Sequence, residues 1–144
     1  MIAVDTNVLV YAHREDSAFH GEASAALSEL AGGSERWAVP WPCAHEFIAV
    51  VTHPKIFKIP TPLAHALKAL EDLDACPTLE FIGEEQGYLV PLREIALAAR
   101  VQGGAIHDAR IAAICRVHGV RELWSADRDF SRFPQLKVRN PLLR

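Results

Sequence analysis

Four acidic residues, Asp5, Glu46, Asp108 and Asp127, stand where one pocket could collect them. Asp5 closes a short apolar run that begins at Met1. Glu46 falls in the first turns of a predicted helix, and Asp108 at the start of another. Asp127 comes just past a further predicted strand, Glu122 to Ser125. In a parallel sheet, strand C-termini and the N-termini of the following helices share one edge, where open α/β sheets bind ligands. Two carboxylates about 4 Å apart repel by roughly 4 kcal/mol at an effective dielectric near 20. Four in one pocket therefore call for protons or cations. An all-oxygen donor set selects hard ions, Mg²⁺ or Mn²⁺, over zinc. Such ions activate water, steady the attacking and leaving oxygens, and neutralise phosphate charge. The predicted chemistry is metal-dependent, in-line hydrolysis of a phosphodiester.

Taken singly, each acid also has an ordinary structural use. Asp5 in Asp-Thr-Asn is common turn chemistry. Glu46 complements a helix dipole. Asp108 can be an N-cap, and Asp127 with Asp129 can form a polar turn. The joint pattern, strand-end acids alternating with helix-start acids, is what favours a common pocket.

The elements that would position these acids are legible in the pattern. Buried strands are predicted at Met1 to Asp5, Trp37 to Val39, Thr78 to Ile82, Glu122 to Ser125 and Leu136 to Val138. A helix with an N-cap at Ser17 carries Phe19, Ala23, Ala26, Leu27 and Leu30 on one face and stops at Gly32-Gly33. Pro42 opens the next, which holds Glu46 and ends before Pro54. Thr61-Pro62 reads as an N-cap and N1 proline ahead of a leucine stripe, Leu63, Leu67, Leu70 and Leu73. Two short helices divided at Pro91 follow. Asp108 opens a last helix, stopped near Gly119. Strands alternating with helices predict an α/β fold: a three-layer α/β/α sandwich around a mostly parallel sheet of four to five strands.

With 144 residues, 50% hydrophobic and 23% charged, the chain suits one domain over residues 1–144 with its own core. No apolar run reaches the roughly 20 residues of a membrane span, and the start lacks the basic region of a signal peptide. Three scattered cysteines, Cys43, Cys76 and Cys115, argue against a disulfide framework, so the expected location is cytoplasmic. The net charge of −3 is unevenly spread. Residues 1–92 carry 5 Lys/Arg against 13 Asp/Glu, and residues 93–144 carry 10 against 5. A basic C-terminal third around a metallated pocket could attract phosphates, although such asymmetry is also common on ordinary solvated surface.

Together these residues resemble a known family. Met1 to Tyr11 (MIAVDTNVLVY) is similar to the opening of PIN-domain nucleases, an apolar strand ending in Asp, a hydroxyl residue and a small polar one. His45 to Val51 (HEFIAVV), Ile106 to Ala113 (IHDARIAA) and Leu123 to Phe130 (LWSADRDF) resemble the later acidic motifs, in the family's order. Length and motif order resemble the VapC-type toxins. The resemblance implies a parallel sheet sandwiched by helices, Mg²⁺ or Mn²⁺ as cofactor, and an RNA substrate. It also implies a homodimer and inhibition by a small cognate antitoxin. It assigns the four acidic positions to Asp5, Glu46, Asp108 and Asp127, and an auxiliary acid to Asp129. Thr6 and Ser125 would orient the site and Asn7 would brace Asp5. Glu35 lies near Glu46 in sequence, but before the second strand rather than after it.

Other classes fit less well. A haloacid-dehalogenase-type phosphatase needs an acid two residues after the first Asp, where this chain has Asn7. A receiver module needs a paired early acid and a late Lys. A metal-binding regulatory module without catalysis would keep the same four acids. Arg128, between two acids, is the best arginine for contacting RNA phosphate; Arg14 and Arg110 are weaker candidates, as are His13, His45 and His107 for proton transfer. Trp37 and Trp124 read as core, whereas Trp41 reads as core or base-stacking surface.

Overall fold

The computed structural model describes residues 1–143. Five strands form one sheet: β1 (Ile2–Val4), β2 (Trp37–Pro40), β3 (Leu79–Ile82), β4 (Glu122–Trp124) and β5 (Val138–Arg139). Their order is β3-β2-β1-β4-β5, and every pairing is parallel. β1, β2 and β4 are buried along their whole length. That is why β1 and β2 read as unbroken apolar runs rather than alternating ones, and β4 does so apart from Glu122. Six helices flank the sheet: α1 (Thr6–His13), α2 (His20–Gly32), α3 (Trp41–Val51), α4 (Leu63–Asp74), α5 (Leu89–Ala98) and α6 (Ile106–Val117).

The chain runs from β1 to β2 to β3 in one direction, then returns across the sheet to β4 and β5. Right-handed crossovers place α1 to α4 on one face and α5 and α6 on the other. The packing agrees, since α1 meets α2 and α3, α3 meets α4, and α5 packs on α6. The reversal falls between β1 and β4. Crevices form beyond strand C-termini at such a reversal, so residues after Val4 and after Trp124 face it together.

Four local expectations are corrected. Residues 6–13, given no element by pattern, form α1 directly after Asp5. Val8, Leu9 and Val10 are consecutive and all buried, so tertiary packing overrides their β-leaning types. Ser17 does not cap α2; its hydroxyl accepts from the Phe19 N–H at 3.1 Å, and the helix starts at His20. Pro91 divides nothing, because it lies in the first turn of α5, where a missing N–H is harmless. One helix, Leu89–Ala98, therefore stands where two were expected. Pro62, not Thr61, occupies the N-cap position of α4. The Thr61 hydroxyl instead accepts from Arg14 Nη1 at 3.2 Å.

Candidate active site

The register of β1 on β4 builds the centre of the site. Val4 lies opposite Trp124, so the next residues, Asp5 and Ser125, emerge side by side at the sheet edge. The Asp5 N–H donates to the Trp124 carbonyl at 3.0 Å, and Ser125 Oγ donates to Asp5 Oδ2 at 2.6 Å. Asp5 is also the N-cap of α1, its Oδ1 accepting from the Thr6 N–H at 2.8 Å. The turn-capping use and the pocket-facing position therefore coexist in one residue. The Cys43 thiol donates to the same oxygen at 3.4 Å. Only 5% of Asp5 is exposed. Burial raises its pKa above the usual carboxylate value, and the Asp127 charge adds to the rise.

Asn7, the second residue of α1, ties the two strand ends together. Its Nδ2 reaches Asp5 Oδ2 and Ser125 Oγ, each at 3.4 Å, while its Oδ1 accepts from the Ala126 N–H at 3.1 Å. Ser125 Oγ also accepts from the Asp127 N–H at 3.0 Å. Asp127 in turn caps the 3-10 turn Arg128–Arg132 by accepting from the Asp129 N–H at 2.8 Å.

Glu46 arrives from the adjoining strand, β2, through the first turns of α3. Thr6 Oγ1 donates to its Oε2 at 3.3 Å. Burial raises the Glu46 pKa, with Asp5 and Asp127 adding repulsion. Asp108 stands in the first turn of α6, two residues inside the helix rather than at its cap. Burial, then the charges of Asp127, Asp5 and Asp129, raise its pKa.

Asp5, Glu46, Asp108 and Asp127 all line one cleft of about 300 Å³ with Thr6 and Asn7. Its remaining wall is apolar and includes Tyr11, Val50, Phe57 and Ile111. Asp108, Asp127 and Asp129 each offer one ligand atom, all within 4.8 Å of one another. Asp129 is exposed, at the rim. Glu35 stands before β2, at the opposite edge of the sheet, and pairs with Arg121 at 3.0 Å. It takes no part in the cleft.

Cys43 was not among the candidates, yet it touches Asp5. The signal was its spacing, since Cys43 and Glu46 are i and i+3 on one helix and so share a face. Burial, then the Asp5 charge, drives the thiol pKa well up, which keeps it a hydrogen-bond donor. The arginines separate clearly. Arg14 pairs with Asp16 at 2.6 Å and donates to the Ile59 carbonyl at 2.8 Å, so it pins a loop. Arg110 pairs with Glu84. Arg128 is exposed beside Asp127, with no ion pair among the described residues. Of the tryptophans, Trp37 and Trp124 are core and Trp41 is exposed.

Comparison with known proteins agrees with this fold. The PIN domain family model matches residues 2–136. Ribonuclease VapC43 of Mycobacterium tuberculosis is 36% identical over 142 residues, spanning 99% of this chain and 96% of that protein. Two solved structures share the fold. VapBC2 from Rickettsia felis, bound to a promoter DNA fragment, superposes with a TM-score of 0.71 at 20% identity, covering 97% of this chain and 98% of that one. A toxin–antitoxin complex from Klebsiella pneumoniae does so at 0.64 and 18% identity, covering 98% of each. Since the family model spans nearly the whole chain and a VapC ribonuclease matches it from end to end, the chain belongs to the PIN-domain family, in its VapC branch.

Proposed function

We propose that this chain is a Mg²⁺- or Mn²⁺-dependent endoribonuclease toxin that acts in the cytoplasm and is held inactive by a small cognate antitoxin. The observation that carries the proposal is the convergence of four carboxylates, from four separate elements, on one cleft at the reversal of strand order. The donor set fits a hard divalent cation. It is all oxygen, two of its carboxylates, Asp108 and Asp127, come within 4.8 Å of each other and of Asp129, and Asp5, Glu46 and Asp108 have raised pKa values from burial and mutual repulsion. Asp5, Glu46, Asp108 and Asp127 would hold the ion, with Asp129 as an auxiliary ligand at the rim. When bound, such an ion neutralises phosphate charge and makes a nearby water more acidic.

The chain's own residues do the positioning. Ser125, the Thr6 amide and Cys43 fix both oxygens of Asp5, so its carboxylate does not rotate away. Thr6 orients Glu46, and Asn7 holds the β1 and β4 ends in register. The apolar wall limits water, which strengthens every charge interaction within the cleft. Arg128 supplies a guanidinium to an incoming phosphate. The relative named a ribonuclease supports RNA as the substrate. The neighbour described as a toxin–antitoxin complex supports the antitoxin. Exposed Ile59, Leu63 and Leu67 offer apolar surface for a homodimer.

Calorimetric titration of Mn²⁺ into metal-free protein tests the site. Saturable binding is expected for the natural chain. Ser125→Ala removes the 2.6 Å bond to Asp5 and the acceptor of the Asp127 amide. It should weaken binding by about 10–100-fold, the usual effect of losing such a supporting partner. Ser125→Thr keeps the hydroxyl and should bind like the natural chain. Absence of Mn²⁺ binding by folded protein would overturn the proposal.

A further inference from the structure

Trp41 lies outside the carboxylate cleft and is 43% exposed, unusual for the first residue of a helix that follows a fully buried strand. Its indole stacks on Phe81 of β3, with centroids 4.4 Å apart and planes within 17°. His45, one turn along α3, stacks on it at 6.0 Å and 26°. The indole also lies against the backbone of Gly83, where an added Cβ would meet its Cδ1 at 3.3 Å. Phe81, Trp41 and His45 thus form an ordered stack of rings, with the indole and the imidazole both exposed.

Two elements link the stack to the cleft. On α3, His45 is followed directly by Glu46, and about 7.5 Å of helix separates Trp41 from Glu46. On α6, Arg110 comes two residues after Asp108 and pairs with Glu84, just beyond β3. From the geometry we infer that Trp41, with His45, is a stacking subsite for a nucleobase of single-stranded RNA, next to the phosphodiester held over the carboxylates. The inference rests on the ribonuclease reading above. Aromatic faces bind bases of any sequence through their π-surfaces. The exposed outer end of this stack, His45 with the exposed part of the indole, offers such a surface already ordered by Phe81. The polar flank of the platform, His45 with the Arg110–Glu84 pair, suits a hydrogen-bonding, phosphate-linked nucleobase.

The chain has three tryptophans, and Trp37 and Trp124 are only 1% and 2% exposed. Fluorescence quenching by an added ligand therefore reports on Trp41. The test titrates a mixed-sequence, single-stranded hexaribonucleotide into the full chain with Ca²⁺ present, following intrinsic fluorescence and, separately, anisotropy of a labelled oligonucleotide. Quenching is expected to parallel binding. Trp41→Ala should weaken binding by roughly 5–100-fold. Trp41→Leu keeps apolar cover over Phe81 but has no π-face, and should behave like the alanine variant. Trp41→Phe should retain most of the affinity. Binding without quenching, or equal affinity in the leucine and natural chains, overturns the subsite and leaves the ribonuclease reading intact. Unchanged RNA affinity with a lower oligomeric mass for Trp41→Leu overturns it in favour of a protein interface. No oligonucleotide binding by the natural chain overturns both readings.

Discussion

Asp108→Asn is expected to leave a folded protein that cleaves RNA at least about a hundredfold more slowly. Losing a partner that merely orients a metal ligand already costs about 10–100-fold, and losing a ligand should cost more. Asp108 isolates this effect well. Among the described residues no hydrogen bond holds its carboxylate, so an amide removes charge and little else. Burial, and then repulsion from Asp127, Asp5 and Asp129, disfavours its ionised form. Without metal at neutral pH the variant should therefore melt at or above the temperature of the natural chain. Single-turnover cleavage and calorimetry, run on the same preparation, check both halves. Loss of activity together with a lowered melting temperature would instead mean that Asp108 matters to the fold.

The second large effect is on stability. Asp5, Glu46 and Asp108 all have raised pKa values in the folded chain, burial being the first cause for each. The folded state then holds their protons more tightly than the unfolded state does. Their contribution is fully present below the unfolded values, near 4, and is lost as pH rises through the raised folded values. The metal-free chain should therefore lose stability from these groups as pH rises above about 4. A bound divalent ion has the opposite dependence, because it requires the carboxylates ionised. At 100 times its dissociation constant a ligand adds about 2.7 kcal/mol, about 5–10 °C in melting temperature for a domain of this size. Mn²⁺ should give that rise at pH 7.5 and almost none at pH 4. An equal rise at both pH values would contradict the role given to these acids.

The site was legible because its acids are tied to strand and helix ends, which apolar runs and prolines mark in the sequence. Asp5 after Val4 and Asp127 after Trp124 follow from that rule, and so does the exclusion of Glu35, which precedes its strand. The parallel sheet was legible because β1 and β2 are apolar throughout and β4 is apolar apart from Glu122. What escaped was set by tertiary packing. Val8, Leu9 and Val10 look like more strand, yet they are buried in α1. Pro91 looks like a break, yet it sits where a helix tolerates proline. The leucine stripe of α4 looks like core, yet Leu63 and Leu67 are exposed, at 57% and 45%, and Ala66 is the buried residue of that helix. Cys43 was hidden because a thiol donor to a buried carboxylate has no pattern of its own beyond its i, i+3 spacing from Glu46.

The most direct measurement is cleavage of total RNA by the natural chain, freed of any partner, with Mn²⁺, with excess EDTA, and with Mn²⁺ restored after EDTA. An Asp5→Asn variant is assayed beside it. Discrete fragments should form with Mn²⁺, vanish with EDTA, return when the ion is restored, and be absent for the variant. Cleavage that persists in EDTA, or in Asp5→Asn at the natural rate, would contradict a carboxylate-held metal as the source of the activity.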